Sequence, residues 1–199
     1  MEINIAETEQ KEITSFFYRI LIPRPIAWVS TRSKKGIDNL APFSFYGGVS
    51  ANPPIVSLGI GRRAGKHKDT SQNLLDTGEC VIHLTSVELS EKMVKTSAEL
   101  PPEKDEFEVA GLEKIKATDV KPPRLKDAKV AMEGKLYKHI EVGNSPGDMI
   151  LVEIIRQRGM RMMVMRIQVG QPQILQPVDT THMAYLWQIW IMMETWILL

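Results

Sequence analysis

The chain has 199 residues, 43% of them hydrophobic, which suits one domain with a sizeable core and is short for two. Lys and Arg number 25 against 24 Asp and Glu, a formal net charge of +1, so the charge excess that draws a protein onto nucleic acid or an anionic membrane is missing. The single cysteine, Cys80, excludes an internal disulfide and a Cys-based zinc site, and it fits a reducing compartment.

The first residues carry Glu7, Glu9 and Glu12, the wrong sign for the basic start of a signal peptide, and no apolar run follows; this predicts a cytoplasmic protein. Short strands are expected over Ile26 to Thr31 after Pro25, and over Ile55 to Ile60 after Pro54. Asp69-Thr70-Ser71 supplies cap residues for a helix through Leu74 and Leu75 that stops at Gly78. A strand follows over Cys80 to Leu84. Thr85-Ser86-Val87-Glu88 then has the spacing of a capping box before a helix with Leu89, Met93 and Val94, ending ahead of Pro101-Pro102.

Residues 101–129, rich in Pro, Lys, Glu and Asp, are too polar for core and read as an ordered excursion over the surface. Val130, Met132, Leu136, Ile140 and Val142 fall on alternate positions of a long strand with one buried face, and Met149 to Ile155 adds another. The apolar stretch Met183 to Leu199 is broken by Gln188 and Glu194, so no membrane span is expected. The sum is a β-rich α+β domain.

The usual catalytic signatures fail. Gly61-Arg-Arg-Ala-Gly65-Lys66 has three residues between its glycines where a Walker loop needs four, and His67 stands where Ser or Thr would hold magnesium. No Gly-x-Gly-x-x-Gly follows a strand. Ser44, Ser50 and Ser57 lack the Gly-x-Ser-x-Gly surround of an activated nucleophile. Cys80 and His83 point to opposite faces of their strand, one core and one surface, and His139 reads as structural. No catalytic acid, base or nucleophile and no metal ligand is assigned.

What remains is a cluster over residues 23 to 70 suited to an anionic, amphiphilic ligand. A helix N-terminus with Lys68, Asp69 and Thr70, preceded by Arg62 and Arg63, is a sound phosphate cradle. The same residues also read as a plain helix cap beside a solvated basic run.

Pro23-Arg-Pro-Ile-Ala-Trp-Val-Ser-Thr31, Asn39-Leu-Ala-Pro-Phe-Ser-Phe45, Ser50-Ala-Asn-Pro-Pro54 and Lys68-Asp-Thr70, in this order and spacing, resemble the flavin reductase-like family of FMN-binding split-barrel proteins. The resemblance covers about residues 10 to 155, since Asp105 to Leu112, Val120 to Pro123 and Glu133 to Val142 also match. It implies a six-stranded Greek-key split barrel with short flanking helices, and a homodimer with FMN at the subunit interface. Carried over by position, Val29, Ser30 and Thr31 would line the isoalloxazine, and Asn39, Ala41, Pro42 and Ser44 would border the ring and ribityl chain. Ser50 would bind ribityl or phosphate, Lys68, Asp69 and Thr70 the phosphate end, with Arg62 or Arg63 assisting.

The implied activity is an NAD(P)H-dependent flavin reductase that passes electrons to free flavin or a partner acceptor. The alternative is a flavoredoxin-like FMN electron carrier without NAD(P)H activity of its own. Beyond about residue 156 the sequence departs from the family: a glycine-rich element is expected after Leu175-Gln-Pro-Val178, and Asp179 to Tyr185 stands there instead. Seven of the 11 methionines and three of the four tryptophans fall in this tail, which fits a dimer-packing segment, an interfacial helix or an altered reading frame.

Overall fold

The computed structural model describes residues 3–144 and 147–159, so the divergent tail from Met160 onward lies outside the described residues. Helix α1 (Gln10–Ile20) comes first. It buries no residue, and Phe16, Phe17 and Ile20 stay exposed. Strands β1 (Ala27–Arg32), β2 (Asp38–Phe43), β3 (Tyr46–Ala51) and β4 (Pro54–Ile60) follow, then α2 (Asp69–Thr77) and β5 (Glu79–Leu84). Short helices α3 (Ser90–Lys95) and α4 (Glu106–Val109) and the small ribbon of β6 (Lys114–Ile115) and β7 (Arg124–Leu125) lead to β8 (Val130–Val142) and β9 (Gly147–Gly159).

Seven strands form one antiparallel sheet in the order β2-β1-β5-β8-β9-β4-β3. The resemblance predicts six. The structure has seven, among them β3, which carries Gly47 and Gly48, buries no side chain and is held by backbone pairing to β4, so no alternation of apolar residues announces it.

Residues from both ends of that order meet in one core: Val29 from β1, Phe43 from β2, Leu58 and Ile60 from β4, Ile82 from β5, and Ile150 and Val152 from β9. A flat sheet would hold these apart, so the sheet curls on itself, and Leu74 of α2 packs into the same cluster. Each such side chain contributes about 1.5–3 kcal/mol on burial. Gly59 permits part of this closure. Its N–H donates to the Phe45 carbonyl at 2.7 Å, and a β-carbon there would lie 2.9 Å from Cβ of Phe45.

Several sequence expectations need correction. The excursion 101–129 is not excluded from the core: Phe107, Leu112 and Leu125 pack with Trp28, Leu40 and Met93 in a second cluster. Its apolar residues are spaced too widely among charges to show a period. Glu133, fully buried, anchors its far end by accepting the N–H groups of Thr118 at 3.0 Å and Asp119 at 2.6 Å.

His83 is not a surface residue either. That face of β5 is covered by the excursion, and His83 is as buried as Cys80. Thr85 is not the cap: its hydroxyl donates to Sδ of Met93, Ser86 takes the N-cap position without a side-chain cap, and a short turn of 3-10 helix, Val87–Leu89, precedes α3. Gly78 does end α2 in the left-handed region, at φ 73°, as its position predicts. The long strand 130–142 is present with two register shifts, so its buried face does not persist, and Ile140 and Val142 are exposed. Among the described residues no helix is long and apolar enough to cross a membrane.

Candidate functional site

A cleft of about 420 Å³ opens where α2 begins, between β2, the loop from β4 to α2, and the segment after α3. Asn39, Ala41 and Pro42 form one wall, and Lys68, Asp69 and Thr70 form the floor at the helix N-terminus. Sequence reading places Asp69-Thr70-Ser71 as caps. In the structure Lys68 occupies the N-cap, with extended backbone, and Asp69 is the first helical residue. No side chain caps this helix, so its first-turn N–H groups remain available to a ligand.

Thr70 is engaged instead by its neighbours. Asn39 Nδ2 donates to Oγ1 of Thr70 at 2.9 Å and to Oγ1 of Thr31 at 3.3 Å, and Asn73 Nδ2 donates to the same Thr31 oxygen at 3.1 Å. This buried network fixes the start of α2 against β1 and β2.

The cleft brings basic groups, Arg63, Lys66 and Lys68, together with the carboxylates of Asp69, Glu99 and Glu106. The Lys68 side chain is exposed and makes no hydrogen bond or ion pair with any described residue. Desolvation in the cleft, and then repulsion by Arg63, lowers its pKa. Burial raises the pKa of Asp69, opposed by Arg63. Arg63 and Lys66 also line the cleft, and Arg63 pairs with Glu99 at 2.5 Å. Glu106 closes the inner end, where its Oε2 accepts the Leu40 N–H at 3.0 Å, and burial raises its pKa.

The other expected residues lie elsewhere. Val29 belongs to the barrel core, and the Ser30 hydroxyl donates to the Pro123 carbonyl at 2.6 Å in the interior. Both sit on a strand flanked on each side by a partner, whereas Thr31 pairs only with Asn39. Ser44 lines a second, broader groove of about 860 Å³ beside α1, where Arg24 lies 5.5 Å from the ring centroids of Tyr18 and Phe45. Ser50 is exposed on the edge strand β3, and its Oγ accepts the Asn52 N–H at 3.3 Å.

Arg62 points away from the cleft. It donates to Oδ1 of Asp148 from Nε at 3.1 Å and Nη2 at 2.9 Å, and to Oε1 of Glu141 at 2.6 Å. His67 and His139 approach the same Asp148 carboxylate at 2.8 and 2.9 Å. Burial would push Asp148 up, but the hydrogen bonds from His67, His139 and Arg62 outweigh it and hold the carboxyl well below the usual range. Sequence reading missed this cluster because its members lie on three separated segments and no spacing rule joins them.

A family model described as flavin reductase like domain matches residues 17–159. The chain belongs to the flavin reductase-like family. An uncharacterized protein of Aquifex aeolicus is 46% identical over 143 residues, covering 71% of this chain and 73% of that one. Among solved structures, nitrilotriacetate monooxygenase component B from Bacillus cereus superposes with a TM-score of 0.78 at 34% identity, over 81% of this chain and 82% of that one. The 2-nitrobenzoate 2-nitroreductase of Pseudomonas fluorescens gives 0.73 at 26% identity, over 80% and 77%. The flavin reductase-like match ends where the described chain ends, so the cleft and the broader groove both lie within it.

Proposed function

We propose that this protein binds FMN with its phosphate in the cleft at the start of α2, and that it acts as an NAD(P)H-dependent flavin reductase. The observation that carries the reading is the convergence of Asn39, Ala41, Pro42, Lys68, Asp69 and Thr70 on one cleft, with the Lys68 ammonium in no hydrogen bond or ion pair with a described residue. The donor set fits a phosphate monoester: uncapped first-turn amides, an ammonium, and the Arg63 guanidinium. An anion there would offset the desolvation and the repulsion by Arg63 that together lower the Lys68 pKa.

When bound, a flavin supplies a two-electron acceptor that gains negative charge on reduction. The chain's own residues would hold and orient it. Lys68 and Arg63 neutralise the phosphate, Ala41 and Pro42 give a narrow apolar wall, and the Asn39–Thr70 contact keeps that wall in register with the helix. No side chain need donate or remove a proton, which agrees with the missing catalytic signatures. The related structures named for a monooxygenase component and a nitroreductase support a redox role passed on to a partner or small acceptor.

We also propose a cytoplasmic homodimer, built from this single domain, with the flavin at the interface. Val49, Tyr137, Ile140, Val142 and Met149 are exposed on β3, β8 and β9, an apolar surface of the kind subunits cover.

The test is the visible spectrum of the purified protein after FMN addition, then stopped-flow mixing with NADH or NADPH. Bound flavin that bleaches within seconds is expected. Bound flavin that does not bleach makes the protein an electron carrier, and failure to bind FMN overturns the reading.

A further inference from the structure

Beside the cleft, which His67 also lines, His67 on the loop leading to α2 meets His139 on β8 and Asp148 on the adjacent strand β9. One ligand atom from each lies within 4.8 Å of the other two. We infer that these three residues form a binding site for a single divalent late-transition-metal ion of the zinc type. The reading goes beyond the flavin cleft and does not depend on it.

The donor set decides the class of ion. Two imidazoles and one carboxylate suit zinc and its neighbours, with a further position left to water, whereas magnesium and calcium seek oxygen ligands. Geometry is close to what such an ion needs. The His67 and His139 nitrogens lie 2.8 and 2.9 Å from the Asp148 oxygens. Tetrahedral ligands at zinc distances stand roughly 3.3 Å apart, and the three ligand atoms already lie within 4.8 Å of one another, so side-chain adjustment alone can bring them to one ion. Both histidines are partly buried and Asp148 fully, so the carboxylate cannot turn to solvent.

Arg62 is the apparent obstacle. Its contacts with Asp148 both fall on Oδ1, where His139 also lies, while His67 approaches Oδ2. Glu141 also binds the guanidinium, so the two carboxylates outnumber the one fixed cation and the cluster attracts positive charge. With a metal in place each imidazole would present a lone pair inward and carry its hydrogen on the other ring nitrogen.

The test uses full-length, flavin-free protein stripped with a chelator, and Zn²⁺ alone as the probe. Titration against a chromophoric competitor should give one ion per chain. His67→Ala and His139→Ala should each weaken it by at least about 100-fold, since even outer-shell changes cost 10–100-fold. Thermal unfolding without metal checks that each variant is folded. His67→Cys, which restores a ligand, should keep the ion bound. Absence of stoichiometric Zn²⁺ uptake overturns the inference. So does equal affinity in wild type and a folded His67→Ala or His139→Ala variant, which would place the ion elsewhere in the chain.

Discussion

The backbone N–H of Leu125 donates to Nε2 of His83 at 3.0 Å, which fixes the tautomer: Nδ1 carries the hydrogen and donates to the Trp28 carbonyl at 2.9 Å. Burial pushes this imidazole down from its ordinary 6.5 to about 4. The folded state therefore binds fewer protons than the unfolded one between these values. Stability from neutral His83 is complete above the unfolded pKa and is lost as pH falls toward 4, by about 3 kcal/mol. Urea unfolding at about pH 7.5 and about pH 4 checks this: the stability gap between wild type and His83→Gln should shrink by about that amount on acidification.

Phe107 is fully buried on the short helix α4, within the polar excursion. Phe107→Ala removes its contacts with Trp28 and Leu40 and should cost about 3–5 kcal/mol in denaturant unfolding. A loss near zero would mean that the excursion contributes nothing to the fold.

How much of this was legible follows from where the information lies. Strands such as Ala27–Arg32 and Pro54–Ile60 announce themselves because Pro and Gly bound short apolar runs, and Gly78 marks a helix end because only glycine takes that backbone cheaply. The edge strand β3 and helix α1 bury nothing, so no pattern had to be written for them. Asn39, Lys68 and Thr70 could be nominated together because family-like motifs carry them. Arg62 could not be told from Arg63 by sequence, because its direction is set by Asp148, 86 residues away. Long-range polar pairing leaves no local trace.

The two neighbouring arginines should separate experimentally. Arg62 is committed to Asp148 and Glu141, whereas Arg63 lines the cleft and pairs only with the exposed Glu99. Arg62→Ala leaves the buried Asp148 carboxylate without its permanent cation and should lower the melting temperature clearly. Arg63→Ala should leave the melting temperature of flavin-free protein almost unchanged while weakening FMN binding. The reverse pattern, read by scanning calorimetry and flavin titration, would move the phosphate to the other side of the loop.

Lys68 stands at the N-cap of α2, where its ammonium makes no hydrogen bond or ion pair with a described residue and feels only the more distant charge of Glu99, which leaves it open to a ligand. Lys68→Ala removes one charge-assisted contact to phosphate, worth about 1.5–3 kcal/mol, or roughly 10- to 150-fold in the Kd for FMN. Riboflavin, which lacks the phosphate, should bind wild type and Lys68→Ala equally. The contrast between the two flavins isolates the phosphate contact from any general loosening of the cleft, since a loosened cleft would weaken both. Because Lys68 loses an unfavourable encounter with Arg63 when it is replaced, the flavin-free variant should be at least as stable as wild type. Equal FMN affinity in the two proteins would remove Lys68 from the site and with it the assignment of the phosphate to this helix.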